Sequence, residues 1–382
     1  MIDAIHWNDL TPETFLASYW QKKPLLVKAA FTDFVDPVEA NELAGLAMED
    51  FIESRIVANK EQKWDVKHGP FEDFSEFGEH NWTLLVQAAN HWVDGIDALV
   101  EPFRFIPNWR IDDVMVSFSV PGGGVGPHLD QYDVFIIQGE GKRRWQVGAP
   151  DDTLKEVVPH EDLKQVSSFT PIIDEITEPG DLLYIPPNHP HDGVAIDNSL
   201  NYSIGFQAPS AQELISAFAD HQLDQQLFEQ RFDDSQRQAT KTPEQLTATD
   251  LDLLTNVMNS ALQSPSVIQE FLGKYLTTVH HTLNLLIPTE PMSIDFINEI
   301  LAEGEELNPV LGLKCILINQ PENNMLFING ESFPIDDDML EFARMLATKT
   351  GLTSDNLKSS LYCLKNVQLL TTVINKGLWT FE

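Results

Sequence analysis

The run Val114-Met115-Val116-Ser117-Phe118-Ser119-Val120-Pro121-Gly122-Gly123-Gly124-Val125-Gly126-Pro127-His128-Leu129-Asp130 decides how this chain is read. Its β-branched and aromatic start, 114–120, predicts a strand. The Pro- and Gly-rich run 121–127 predicts a tight connection. No Gly-Lys-Ser/Thr follows and no helix opens there, so it is not a phosphate-cradling loop. His128 and Asp130 are two residues apart, and strand geometry would put both on one face. Working outward, 134–138 is strand-like and Gly139-Glu140-Gly141 turns into a second strand over 142–147. Pro179-Gly180-Asp181 turns into a third over 182–187, followed by Asn188-His189-Pro190-His191-Asp192-Gly193. Short strands punctuated by turns predict an antiparallel sandwich or closed barrel.

The same residues suggest metal chemistry. A His-x-Asp pair and a distant histidine form the two-His-one-carboxylate set. It fills one face of a non-haem Fe(II) ion and leaves three positions open. His189 and His191 both offer the third ligand, and 63 residues separate His128 from His191, room for several strands to return to one end of a barrel. A lone His-x-Asp is common in surface loops. Here it follows a Gly-rich loop that allows close backbone approach, precedes the cationic strand Lys142-Arg143-Arg144, and is matched by histidines just past a Pro-Pro strand end.

Composition narrows the class. The 382 residues hold 24 Lys plus Arg and 59 Asp plus Glu, a net charge of −35. That balance argues against a general nucleic-acid binder and against an anionic membrane surface, and favours a basic partner. Hydrophobic residues make up 42%, enough for real cores and too many for disorder. The two cysteines, Cys315 and Cys363, exclude a disulfide framework and a thiolate-rich metal site. The N-terminus shows no basic-then-apolar signal segment, and no apolar run reaches 18 residues, so a cytoplasmic protein is expected.

The chain divides into three. Residues 1–209 are rich in Pro, Gly, Trp and short β-type runs. Residues 210–282 read as about three helices, opened by Ser210 with Glu213 as a capping box and punctuated by Pro243 and Pro265. Leu214, Ile215 and Phe218 give this region an apolar stripe suited to self-association. Residues 283–382 mix helices (293–301, 339–346 and 354–364) with strands at 315–319 and 325–328 and a tight turn at Asn329-Gly330, a winged-helix-like pattern. Over 276–382 there are 6 Lys plus Arg against 14 Asp plus Glu, so direct DNA binding is not expected.

Taken together, 118–135, Gly141-Lys142-Arg143-Arg144-Trp145, 180–187 with His191, 201–206 and 19–27 resemble the JmjC-type 2-oxoglutarate/Fe(II) oxygenases, and within them the bacterial ribosomal oxygenases. Motif similarity covers about residues 10–210. The family's architecture matches the three-part division: an α+β chain with a double-stranded β-helix (jelly-roll, cupin) catalytic domain over 1–209, a helical dimerisation segment over 210–282 and a winged-helix-like domain over 283–382. The resemblance implies Fe(II) bound by His128, Asp130 and His191, His191 being preferred to His189 because the family's ligand follows a Pro and precedes a Gly. No catalytic side chain beyond the metal centre is implied. It implies 2-oxoglutarate as co-substrate, its far carboxylate met by Arg143, which alternation puts on one face with Trp145 while Lys142 and Arg144 face solvent. Ser119 and Asn201 are candidates for hydrogen bonds to the co-substrate. Tyr132, Asp133 and Gln131 stand near the ligand pair as substrate contacts, although Asp133 falls on the wrong parity for a strand. The implied activity is hydroxylation of an arginyl residue of large-subunit ribosomal protein sixteen, a basic substrate, by a homodimer. Other readings are a JmjC-fold oxygenase with another substrate, a non-catalytic acidic cupin binding basic proteins, or a cupin isomerase.

Overall fold

The computed structural model describes residues 4–61, 63–320, 323–358 and 360–381. Thirteen strands make the first half: β1 (Leu25–Val27), β2 (Ser54–Lys60), β3 (Lys63–His68), β4 (Trp82–Val86), β5 (Ile111–Ser119), β6 (Asp133–Gln138), β7 (Arg143–Gly148), β8 (Glu156–His160), β9 (Leu163–Val166), β10 (Pro171–Thr177), β11 (Leu182–Ile185), β12 (His191–Ala195) and β13 (Ser199–Phe206). An eight-stranded sheet in the order β1-β11-β6-β13-β5-β4-β2-β3 is joined by a three-stranded sheet, β10-β7-β12. All pairings are antiparallel. This is the expected jelly roll, with crossovers placing β13 between β5 and β6.

The large sheet is backed by aromatics. Phe15, Phe103, Phe135, Tyr184 and Phe206 are fully buried, with Phe103 and Phe135 ring centroids 4.6 Å apart and Phe15 and Tyr184 4.9 Å apart. Each contributes roughly 2–3 kcal/mol by burial. Phe15 arrives on the helix α1 (Pro12–Ser18), which Thr11 caps with Thr14 in a capping box. Inside the roll, Ile136, Trp145, Val147, Leu183 and Ile185 form a smaller cluster. Two rigid walls therefore face each other, and the cavity lies between them.

Two further short helices, α2 (Ala40–Leu46) and α3 (Asp94–Asp97), pack on this half. Next come α4 (Ala211–Asp224), α5 (Ala248–Leu262) and α6 (Pro265–Thr277). Ser210 and Glu213 make the expected capping box, and Pro265 opens α6. Pro243 does not open a helix. Thr247 caps α5 instead, its hydroxyl bonded reciprocally with Asp250, and the stretch before it is irregular. The predicted stripe splits: Phe218 is buried against Phe271, centroids 5.1 Å apart, while Ile215 stays exposed.

The last part holds α7 (Ile294–Ala302), β14 (Leu307–Pro309), β15 (Cys315–Ile318), β16 (Asn324–Ile328), β17 (Glu331–Ile335), α8 (Leu340–Ala347), α9 (Ser354–Leu357), α10 (Leu364–Asn375) and β18 (Trp379–Phe381). The helix expected over 354–364 is instead the single turn of α9, and the long helix follows it. Asn329 and Gly330, both at positive φ, turn β16 into β17. Pro321 and Glu322, between the two strands expected at 315–319 and 325–328, lie outside the described residues, as do Ser359 and residues 1–3 of the N-terminal reading. A separate core gathers Ile297, Leu326, Phe342, Leu370 and Trp379.

Candidate metal centre and co-substrate pocket

His128 and His191 exchange backbone hydrogen bonds of 3.0 Å in both directions, an isolated antiparallel bridge between the Gly-rich loop and the start of β12. Asn188 N–H donates to the Asp130 carbonyl at 2.9 Å. Residues 129–132 do not continue a strand. The expectation that strand alternation aligns His128 with Asp130 is therefore corrected. The bridge and this one loop contact align them, because 129–132 have no partner strand to pleat against. Ligand atoms of His128, Asp130 and His191 lie within 4.8 Å of one another. His191 Nε2 is 3.5 Å from Asp130 Oδ2, and His128 Nε2 is 3.9 Å from Asp130 Oδ1.

Backbone carbonyls orient both rings. The Nδ1 of His128 lies 2.9 Å from Gly126 O, and that of His191 lies 2.9 Å from His189 O. A carbonyl only accepts, so each Nδ1 carries the proton and each Nε2 lone pair faces the gap. Gly126 sits at φ +78°, and a Cβ there would meet Gln165, so the carbonyl under His128 depends on glycine. His189 stands outside the cluster. Its own Nδ1 lies 3.0 Å from Pro187 O, and it contributes its carbonyl. Burial pushes His128 down to about 4, leaving it neutral as a ligand nitrogen must be. Burial pushes Asp130 up, but the adjacent His191 and the positive charge of Arg55 hold it well below the carboxylate range. Two nitrogens and a hard oxygen around a gap fit a ferrous ion.

Arg143, only 4% exposed, lies on β7, in the same small sheet as the His191 strand β12. Its Nη2 donates to Ser119 Oγ at 2.5 Å and to Ser199 Oγ at 3.4 Å, while its Nε is buried without a partner. No carboxylate pairs with it among the described residues. Burial pushes it down to about 10. A buried guanidinium left unpaired is costly and fits an anionic ligand end. Lys142 and Arg144 reach the surface and pair with Glu178 and Asp174. Ser119 is fully buried and shares a hydrogen bond of 2.7 Å with Thr83. Asn201 donates to Gln138 Oε1 at 3.0 Å, and its own oxygen is buried unpartnered. Arg143, His128, Asp130 and His191 line a cavity of about 520 Å³; Ser119 and Asn201 do not.

At the mouth, Tyr132 lines the cavity and is 41% exposed. Gln131 points to Asn188. Asp133 turns away, as its parity suggested. Fully buried, it accepts from Tyr184 Oη at 2.6 Å, Arg110 at 2.9 Å and Gln21 at 2.9 Å, tying β6 to the chain's start. Sequence reasoning missed Asp113. It lines the mouth with Met115 and Ser203, and its Oδ2 accepts from Gln87 at 2.6 Å and from Ala88 N–H at 2.8 Å. The signal was available: period two runs back from Ser119 through Ser117 and Met115 to Asp113.

Known proteins resemble this chain in sequence and in fold. A JmjC domain model matches residues 98–214, and a ROXA-like winged helix model matches residues 257–380. The ribosomal protein uL16 3-hydroxylase of Escherichia coli is 43% identical over 379 residues, 99% of this chain and 98% of that protein. The chain belongs to the JmjC ribosomal oxygenase family. A probable ribosomal oxygenase of Haemophilus influenzae is 39% identical over 214 residues, 55% of this chain and 53% of that protein. Among solved structures, E. coli YcfD superposes with a TM-score of 0.93 at 43% identity, covering all of both chains. YcfD in complex with cobalt and 2-oxoglutarate superposes at 0.89 with 42% identity over 99% of both chains. In this ribosomal oxygenase the JmjC match contains the three clustered ligands and Arg143.

Proposed function

We propose that this ribosomal oxygenase is an Fe(II)- and 2-oxoglutarate-dependent hydroxylase of the basic ribosomal protein uL16, acting at C3 of an arginyl residue. One observation carries the reading: an unpaired buried guanidinium and a His-Asp-His cluster face the same cavity. His128, Asp130 and His191 hold the metal; cobalt, seen in the relative, takes the same nitrogen and oxygen ligands. Arg143 receives the far carboxylate of 2-oxoglutarate, with Ser119 fixing the guanidinium and Asn201 nearby on β13. With iron, the co-substrate and O₂ supply the oxidising power that hydroxylates a C–H bond. The chain itself binds, orients and excludes water.

The mouth suits a guanidinium. Asp113 offers a carboxylate and Tyr132 an aromatic face, with Met115 between sheet and substrate. The net charge of −35 speeds encounter with a basic protein. The test is incubation with uL16, Fe(II) and 2-oxoglutarate, then mass spectrometry for a gain of about 16 Da, one oxygen. No gain on uL16, with 2-oxoglutarate still consumed, overturns the substrate and keeps the chemistry.

The rest of the reading concerns assembly and place. No helix among the described residues is long and apolar enough to cross a membrane. With both cysteines free, a cytoplasmic setting suits the chain, and its acidic winged-helix-like end serves as scaffold without direct DNA binding. The divisions at 209 and 282 separate catalytic, dimerising and winged-helix-like parts. Along α5, Leu251, Leu254, Met258 and Leu262 are exposed at helical spacing, and a second copy of the chain covers them. Light scattering expects a dimer, reduced to a monomer in Met258→Asp; a monomeric native chain overturns this part.

A further inference from the structure

Behind the mouth of the cavity, a lysine and a histidine from the chain's last third meet two adjacent carboxylates of β5. Lys314 Nζ, just before β15, lies 2.7 Å from Asp112 Oδ1, with side-chain exposures of only 10% and 23%. His281, on the segment that follows α6, places Nε2 3.8 Å from Asp113 Oδ2 and Nδ1 3.3 Å from Glu53 Oε2. Both contacts span well over a hundred residues of sequence, so no local folding demand explains them. Asp112 and Asp113 both line the cavity that holds the metal ligands. The docking is tight. Gly312, at φ +73°, lies against the ring of His91, where a Cβ would clash, and His91 Nδ1 lies 3.1 Å from Thr282 O.

In this poorly solvated wall the neighbouring Asp112 carboxylate adds to the cost of ionising Asp113. Burial and Asp112 push the Asp113 carboxyl above its usual range, and His281 pulls it back. A lysine on Asp112 removes much of that repulsion. An ionised, correctly aimed Asp113 is what a cationic substrate side chain needs.

We propose that the chain's C-terminal third completes the substrate subsite: Lys314, through Asp112, and His281, at Asp113, are positioning residues that keep the Asp113 carboxyl aimed at the incoming cationic side chain. This rests on the reading above that Asp113 faces a guanidinium. It gives the C-terminal end a task in the reaction itself. Lys314 touches neither metal nor co-substrate, so its effect falls on the protein substrate alone.

The test compares full-length Lys314→Met, Lys314→Arg, His281→Asn and Asp113→Asn with the native enzyme. Purified uL16 is the probe, and KM is measured for uL16 and for 2-oxoglutarate. Lys314→Met raises KM for uL16 about tenfold, the size of one hydrogen bond to a charged group, with KM for 2-oxoglutarate within about twofold. His281→Asn acts in the same direction, and Lys314→Arg restores most of the loss because the charge returns. Equilibrium binding of uL16 without O₂ weakens in parallel, which general loosening of the fold would not confine to one ligand. If Asp113→Asn weakens uL16 binding while Lys314→Met and His281→Asn do not, the positioning role is wrong and the substrate reading stands. If Asp113→Asn itself changes nothing, the substrate reading is wrong and the positioning role falls with it. An equal loss in Lys314→Met and Lys314→Arg also overturns it.

Discussion

At the inner end of the cavity every functional group comes from the jelly roll, on strands and a glycine loop pinned by backbone bonds. At the mouth, Asp112 and Asp113 meet partners from residues 281 and 314, supplied by another part of the chain. The inner end is held by ladder pairing and close packing, the mouth by a few polar contacts across a junction. The chemistry is therefore placed where the fold is stiffest, and recognition where adjustment is easiest. The comparison predicts that substitutions inside abolish turnover, whereas those at the mouth tune it.

The hardest test of the inner end is His191→Ala. It removes a ligand while the bridge, made by backbone atoms, persists. Metal binding by calorimetry is expected to be lost, and turnover to fall at least about a thousandfold. Full turnover in this variant would break the assignment of the centre. Next is Arg143→Gln, expected to raise KM for 2-oxoglutarate about a hundredfold, the worth of a two-pronged charge-assisted pair. Arg143→Lys recovers only part, since an ammonium cannot fork. An unchanged KM would send the co-substrate's carboxylate elsewhere.

The mouth is sharpened by acid. Burial holds His91 down to about 4 from an ordinary 6.5, and Thr282 O, His281, Asp97 and Lys314 surround it. Its folded value lies below its unfolded one, so the unfolded chain binds more protons between these limits. His91's contribution is complete above about pH 6.5 and drains away as the pH falls toward 4. From pH 7 to pH 5 the loss is about 2 kcal/mol. Urea unfolding of native and His91→Gln proteins at both values checks it. The native chain loses stability and the variant's curve is flatter by that amount. Equal losses would remove His91 as the acid-labile point of the junction.

This asymmetry also explains what could be read in the sequence. The strand, the glycine loop, His128, Asp130 and Arg143 all sit within about thirty residues, where turn chemistry and period two act locally. His191 needed a resemblance to be preferred to His189, because both are followed by small or turn-forming neighbours and only the bridge separates their roles. The irregular path at 129–132 was missed because strand periodicity presumes a partner that this stretch lacks. Asp113 lies on the same period as Ser119 and so was legible as a cavity residue, but its contact with His281 was not, because no local pattern in one sequence announces a contact of that span. Pro243 misled for want of a cap, which Thr247 supplies.

The smallest expected effect separates two meanings of Ser119. If it bonded the co-substrate directly, its loss would add to the loss of Arg143. Instead its Oγ accepts from Arg143 and shares a bond with Thr83, and Ser119 does not itself line the cavity. It acts by fixing the guanidinium. Ser119→Ala then raises KM for 2-oxoglutarate by about threefold to fivefold, one modest hydrogen bond. The decisive measurement is the double-mutant cycle. In an Arg143→Gln background Ser119→Ala should add almost nothing, because the group it holds is gone. Full additivity would put Ser119 on the ligand itself and make the inner end a two-point clamp. An interaction energy near the whole single-mutant effect would keep it as the socket for one arginine, itself set by the β5–β4 pairing that brings Thr83 opposite Ser119.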